Sequence, residues 1–215
     1  MRIEDIFFWG VIIANIFISY KGFKDYNFFR KYEFHIGSIL KGEKYRMFSS
    51  AFLHADMMHL LFNMLTFYFF APWVIAVMGS WSFLLIYVGS LFLGNFLTLY
   101  LEKDNYSYRA VGASGAVTGV IYSAILFNPD AKLYLFFALP IPAYLFGIGY
   151  LLYSIYGMKS KNDHIGHTAH FGGAIGGYII TLCLVPQLLW INTKMVILLA
   201  IPIVVLFYLM KNKKI

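Results

Sequence analysis

Charged residues are scarce in this chain. Asp, Glu, Lys and Arg supply only 13% of its 215 residues, where soluble domains carry ~25%. With 60% apolar residues, no water-facing fold could hide so much hydrocarbon, which excludes a soluble globular protein. Cysteine is nearly absent as well. Cys183 stands alone, which rules out an intramolecular disulfide and leaves a small apolar packing residue as the expected role. Internal repeats and low-complexity segments are missing. So is the folded basic module that nucleic-acid binding would want, and the net charge of +7 is read instead as headgroup contact at helix ends.

What is present is a series of charge-free runs. Residues 57–79, 80–101, 110–129, 133–158 and 164–193 contain no Asp, Glu, Lys or Arg. A helix crossing the hydrocarbon core needs roughly 17–25 mainly apolar residues, so each run is a candidate span. The run 6–20 is shorter but reaches Phe23 if Lys21 snorkels to the headgroups, and 195–210 offers a last span. The sequence therefore predicts an all-α, multi-pass integral membrane protein. Residues 1–186 form a six-helix core, and residues 187–215 add a seventh helix and a basic tail. No cleavable signal peptide is expected, because 6–20 leads into a Tyr- and Lys-bearing segment without a small-residue cleavage site.

Several boundaries can be read in more detail. Pro72 is expected to end the second span, and Gly79-Ser80 to turn the chain into the third. The fourth is expected over 111–127, closed by Asn128-Pro129. Pro140 and Pro142 should break any helix in 132–141, so the fifth span starts near Pro142 and runs to Tyr156. The sixth is expected over 164–184, stopping at Pro186. The hydrophilic stretch 21–55 alternates Tyr26, Phe28, Phe29, Tyr32 and Phe34 with charges, a mixture suited to the membrane interface.

Polar residues inside such spans are functional candidates by default. Gly112, Gly115 and Gly119 line the fourth span at small-residue spacing; Gly166, His170, Gly173, Ala174 and Gly177 do the same in the sixth. Small stripes let helix backbones approach closely in lipid. That approach would bring Ser114 and His170 within hydrogen-bonding reach, as a nucleophile and its general base. The imidazole must be neutral to act so. His59 and Asn63, four apart, project from one face of the second span. With the backbone N–H of Ser114 they could meet the charge that develops on an attacked carbonyl oxygen. His54, five before His59, points elsewhere and is expected just outside the helix in a structural role. The spans hold no carboxylate, so a Ser–His dyad fits better than a Ser–His–Asp triad, and the acidic coupling residue of a transporter is lacking. Together these features point to hydrolysis of a peptide bond within the membrane.

His54-x4-His59-x3-Asn63, Gly112-x-Ser114-Gly115 and Ala169-His170-x2-Gly173-x3-Gly177 resemble, in order and on separate spans, the signatures of the rhomboid intramembrane serine proteases. The resemblance covers the chain from about Tyr45 to Gly177. It implies Ser114 as nucleophile, His170 as base, and His59 with Asn63 at the oxyanion. It also implies a water-accessible cavity open to one membrane face, and substrates that are themselves transmembrane proteins. Three positions depart from the family pattern: the first-loop Trp-Arg pair is Tyr45-Arg46, an acidic residue before the Gly79 turn is Ile75, and an aromatic one turn after the serine is Thr118. Arg46 keeps the guanidinium that anchors the loop.

The sharper competitor is a metal site. His164, His167 and His170 are spaced by three, but a zinc protease of the gluzincin kind places His-Glu-x-x-His on one helix face. The five-residue step from His54 to His59 splits those imidazoles between faces, so no metal and no cofactor is expected. The alternative of a different class is a catalytically inactive rhomboid-like protein that binds client transmembrane helices. Orientation is read two ways. Family topology puts the N-terminus in the cytoplasm of a bacterial cell membrane. That leaves only Arg2, Lys132 and Lys194 inside and the other fourteen Lys and Arg outside, against the positive-inside rule. Oligomeric state is not specified.

Overall fold

The computed structural model describes residues 3–135, 138–160 and 165–212. Seven long helices dominate the described residues: α1 (Ile3–Lys24), α5 (Met57–Met78), α6 (Ser80–Leu101), α7 (Ser114–Phe127), α8 (Ala143–Ser160), α9 (His167–Leu184) and α11 (Thr193–Lys211). Short pieces join them. The first connection contains α2 (Tyr26–Tyr32), β1 (Phe34–His35), α3 (Ile36–Leu40), α4 (Arg46–Ser49) and a 3-10 turn at Ser50–Phe52. Strand β2 (Arg109–Ala110) pairs antiparallel with β1, β3 (Lys132–Leu135) with β4 (Leu139–Pro142), and α10 (Leu188–Ile191) precedes α11. Helices α1, α5, α6 and α11 are each long and apolar enough to cross a bilayer. The chain is an integral membrane protein built as an all-α bundle.

Helix α7 is the hub. Every residue from Gly115 to Leu126 is buried, and α5, α6, α8 and α9 pack around it. Its 14 residues rise about 21 Å, short of the ~30 Å hydrocarbon thickness. When its last turn reaches one interface, its first residue, Ser114, lies within the membrane thickness.

Glycine sets how closely the hub is approached. A Cβ on Gly173 would strike the Gly115 backbone, and one on Gly177 the Gly119 backbone, so α7 and α9 touch main chain to main chain. On its other side, α9 presents Gly172 and Gly176 to the backbones of Leu93 and Ser90 in α6. In lipid, where burial gives little drive to associate, such close backbone contact supplies the packing.

Several expected boundaries change. Pro72 does not end the second span; α5 runs through it to Met78. Stopping there would strand backbone groups in hydrocarbon, so the helix continues and tolerates the lost bond. The fourth helix begins at Ser114, not at residue 111. Gly112 has φ +125°, its N–H donates to Ser50 O at 3.0 Å, and Ala110 pairs with Phe34, all incompatible with helix. Gly112 is therefore a turn residue rather than part of the small-residue stripe. Gly166 likewise precedes α9 as its cap, and the expected start at His164 lies outside the described residues. The proline segment is not helical, as expected, but its described residues form a hairpin, with Tyr134 opposite Pro140 and Lys132 opposite Pro142. Helix α8 continues past Tyr156 to Ser160. Cys183 is exposed on α9 rather than packed inside.

Candidate active site

A cavity of about 710 Å³ opens among α5, α7, α8, α9 and the first connection, lined by Ser114, His170, His59, Asn63, Gly112 and Tyr150 among others. Glu33, Asp56 and Arg109 line it too, so it opens at the end of the bundle that carries the first connection. The wall is largely apolar, with a few convergent polar groups, the usual form of a ligand site.

Just before α7 the chain turns at Gly112, whose φ is +125°. Val117 N–H donates to Ala113 O at 2.9 Å, so Ser114 is the first helical residue. The first N–H groups of a helix have no partner within it, and the dipole there favours negative charge. Gly112 is required at the turn twice over: its φ is positive, and a Cβ would come within 2.8 Å of the His59 ring. His59 and Ser114 thus flank the same glycine.

His170 Nε2 lies 2.7 Å from Ser114 Oγ. The α7–α9 backbone contact brings them together, with Gly173, one turn after His170, seated on Gly115, the residue next to Ser114. The second nitrogen of His170, Nδ1, lies 2.7 Å from the Tyr150 hydroxyl. The two rings stack with centroids 5.8 Å apart and planes 26° from parallel. Tyr150 was not singled out by the sequence. Tyrosines are common in this chain (17 of them), and nothing in the spacing of α8 separates this one from the rest.

His59 and Asn63 reach the cavity from the first two turns of α5. Asp56 caps that helix by accepting from the His59 N–H at 2.8 Å. The Ala55 N–H points at His59 Nδ1, 3.4 Å away, which leaves the ring proton on Nε2, beside Gly112. Asn63 donates one amide hydrogen to the His59 carbonyl at 2.9 Å and keeps a second donor. Both side chains therefore offer an N–H to the space beside Ser114.

His54 lies outside α5 and does not line the cavity. Its ring is fully buried, with Nδ1 2.8 Å from Ser19 Oγ and Nε2 facing the Ala113 N–H at 3.4 Å. Ser19 donates its own hydrogen to Phe52 O, so it accepts from Nδ1–H, which frees Nε2 to accept from Ala113. Burial, then the neighbouring His59, hold His54 down to about 3, so it stays neutral. Its contacts tie α1 and the turn before Ser114 together.

Arg46 is buried too and lies outside the cavity wall. It donates to the carbonyls of Arg30 at 2.8 Å and Glu33 at 3.0 Å, and to the Glu43 carboxylate at 2.6 Å. Glu33, itself buried, pairs with Arg30 at 3.2 Å and with Arg109. The Arg46 guanidinium thus folds the first connection on itself, and the Glu33–Arg109 pair ties it to the β2 strand that leads to Gly112. Of the proposed metal-type histidines, His167 is buried against Tyr153 with its ring 6.4 Å from that of His170. His164 lies outside the described residues. No group of three or more His, Cys, Asp or Glu converges among the described residues.

Fold and site together define a class: a multi-helix membrane protein with a partly buried Ser–His pair at a largely apolar cavity that carries a few polar groups. A family model for the rhomboid domain matches residues 41–187, and the chain belongs to the rhomboid family. It is 34% identical over 153 residues to "Putative rhomboid protease YdcA" of Bacillus subtilis, covering 67% of this chain and 70% of that protein. It is 29% identical over 182 residues to "RHOMBOID-like protein 12, mitochondrial" of Arabidopsis thaliana, covering 77% of this chain and 54% of that one. With "Rhomboid protein 1, mitochondrial" of Saccharomyces cerevisiae the identity is 28% over 140 residues, 63% of this chain and 40% of the relative. The chain thus spans about half the length of these mitochondrial relatives.

Proposed function

We propose that the protein is an intramembrane serine endopeptidase that cleaves transmembrane proteins in or near their membrane segments. The observation that carries this reading is the 2.7 Å approach of His170 Nε2 to Ser114 Oγ beneath a cavity in an otherwise apolar bundle. Ser114 Oγ attacks the scissile carbonyl carbon while His170 takes its proton. The carbonyl oxygen becomes an oxyanion beside the Ser114 N–H, His59 and Asn63. His170 then protonates the leaving nitrogen, the C–N bond breaks, and an acyl-enzyme forms on Ser114. Water, deprotonated by the same imidazole, releases the new carboxylate. The cavity admits that water, and the bilayer presents the substrate.

Residues 1–186 are read as the protease core, and 187–215 as an added helix and basic tail. The proposed setting is a bacterial cell membrane with the N-terminus in the cytoplasm, which a reporter fused at residue 40 would test. To test the chemistry, the full chain is reconstituted with a transmembrane substrate and a serine-reactive fluorophosphonate probe. Ser114→Ala and His170→Ala should each lower cleavage by at least ~10³-fold, and Ser114→Ala should abolish labelling. Undiminished cleavage by either variant refutes the dyad. Absence of both cleavage and labelling in the unaltered protein would favour the inactive client-binding alternative.

A further inference from the structure

We infer that Tyr150 is a positioning residue for His170, its hydroxyl accepting the Nδ1 proton and so holding the imidazole in the tautomer that can take a proton from Ser114. The inference rests on the dyad reading. A histidine acting as base toward Ser114 must present a lone pair at Nε2, so its ring hydrogen sits on Nδ1. Within a membrane protein that hydrogen needs an acceptor, since a buried donor left unpaired keeps its full desolvation cost. The spans hold no carboxylate to serve, and one placed there would be costly in lipid. The Tyr150 oxygen, 2.7 Å from Nδ1, accepts without adding charge.

The need for a lone pair at Nε2 sets the direction of the donors. Thr118 lines the same cavity as Tyr150 and gives its own hydrogen to the Ser114 carbonyl at 2.7 Å, so it has none to donate to the phenol. The donors are then Ser114 Oγ–H to His170 Nε2 and Nδ1–H to Tyr150. Reversing the Tyr150–His170 bond would put the hydrogen on Nε2, where the ring could not act as base. The phenol is also held mechanically. Phe146 stacks on it at 5.8 Å and 12°, and one turn away Tyr122 of α7 donates to the Gly147 carbonyl, pinning α8 to the hub. The position one turn after the serine is Thr118, and the ring that stacks on His170 comes instead from α8.

Tyr150→Phe keeps the ring and removes only the oxygen. Its expected signature is a fall in kcat of ~10–10²-fold with KM within about twofold of the unaltered protein, the mark of a lost transition-state interaction. Nitrogen-15 NMR of histidine-labelled full chain in micelles, with His170→Ala to assign the signal, should show Nδ1–H in the unaltered protein and a tautomer mixture in Tyr150→Phe. An Nε2–H tautomer in the unaltered protein overturns the inference. So does Tyr150→Phe with both kcat and tautomer unchanged. If the unaltered protein cleaves no better than Ser114→Ala, the protease reading fails, and the NMR result still decides the hydrogen bond. Should Tyr150→Phe not fold, the tautomer of the unaltered protein decides alone: Nδ1–H supports the inference and Nε2–H overturns it.

Discussion

Helices α7 and α9 meet backbone to backbone, while α1 and α11 meet the bundle through side chains. At the first contact, Gly119, Gly173 and Gly177 leave no room for a single Cβ. At the second, Phe8 of α1 stacks on Phe67 at 5.5 Å and Leu199 of α11 lies against α8 near Gly147. The outer faces of both peripheral helices carry exposed apolar residues, among them Ile13 and Phe17, Ile197 and Val204, that meet lipid. The difference is one of tolerance. Flexible side chains absorb a methyl group by rotating, whereas two backbones in contact can only move apart. Ser114 and His170 sit where nothing can give, and that is how a 2.7 Å approach is held in a fluid surrounding.

Gly177→Ala tests this contrast most severely. The added methyl enters the Gly119 backbone, and overpacking of this kind costs about 3 kcal/mol. Loss of cleavage with a lower melting temperature in detergent is expected; a variant as stable and active as the parent would break the comparison. Asn63→Ala should slow turnover by ~10²–10³-fold with KM little changed, measured by steady-state cleavage. A pure KM effect would move Asn63 from the oxyanion to substrate binding. Glu33→Gln removes the buried carboxylate on which Arg30 and Arg109 converge. Both partners are about a third exposed, so solvent screening keeps the expected loss to about 1–2 kcal/mol, read as faster proteolysis of the first connection. Gly10→Ala sharpens the comparison from the other side. Nothing lies within 4 Å of a Cβ built there, so the change should leave cleavage untouched and stabilise α1 by up to about 1 kcal/mol.

Legibility in the sequence followed the type of interaction. The spans could be read because lipid forbids charge along their length, and the small-residue stripes because glycine at helical spacing has a direct packing meaning. Helix starts were harder. The beginning of α7 depends on a bond from Gly112 to Ser50, some sixty residues away in the chain, and no local pattern carries it. Pro72 misled for a related reason: its usual breaking effect assumes water is at hand to satisfy the freed carbonyl. Tyr150 was invisible because an α8 tyrosine gains meaning only when α9 turns His170 Nδ1 toward it.

The chain's composition and the order of its polar residues were enough to determine a membrane-embedded bundle, and to nominate a serine and a histidine on different helices. Lipid enforces the first, since it makes burial of charge costly at every position, and sparse polar residues make the second conspicuous. Only the tertiary structure decided where Ser114 falls on its helix, which glycines touch, and which phenol faces the far nitrogen of His170. Those facts depend on tenths of an ångström between segments distant in sequence, where one-dimensional spacing has no reach.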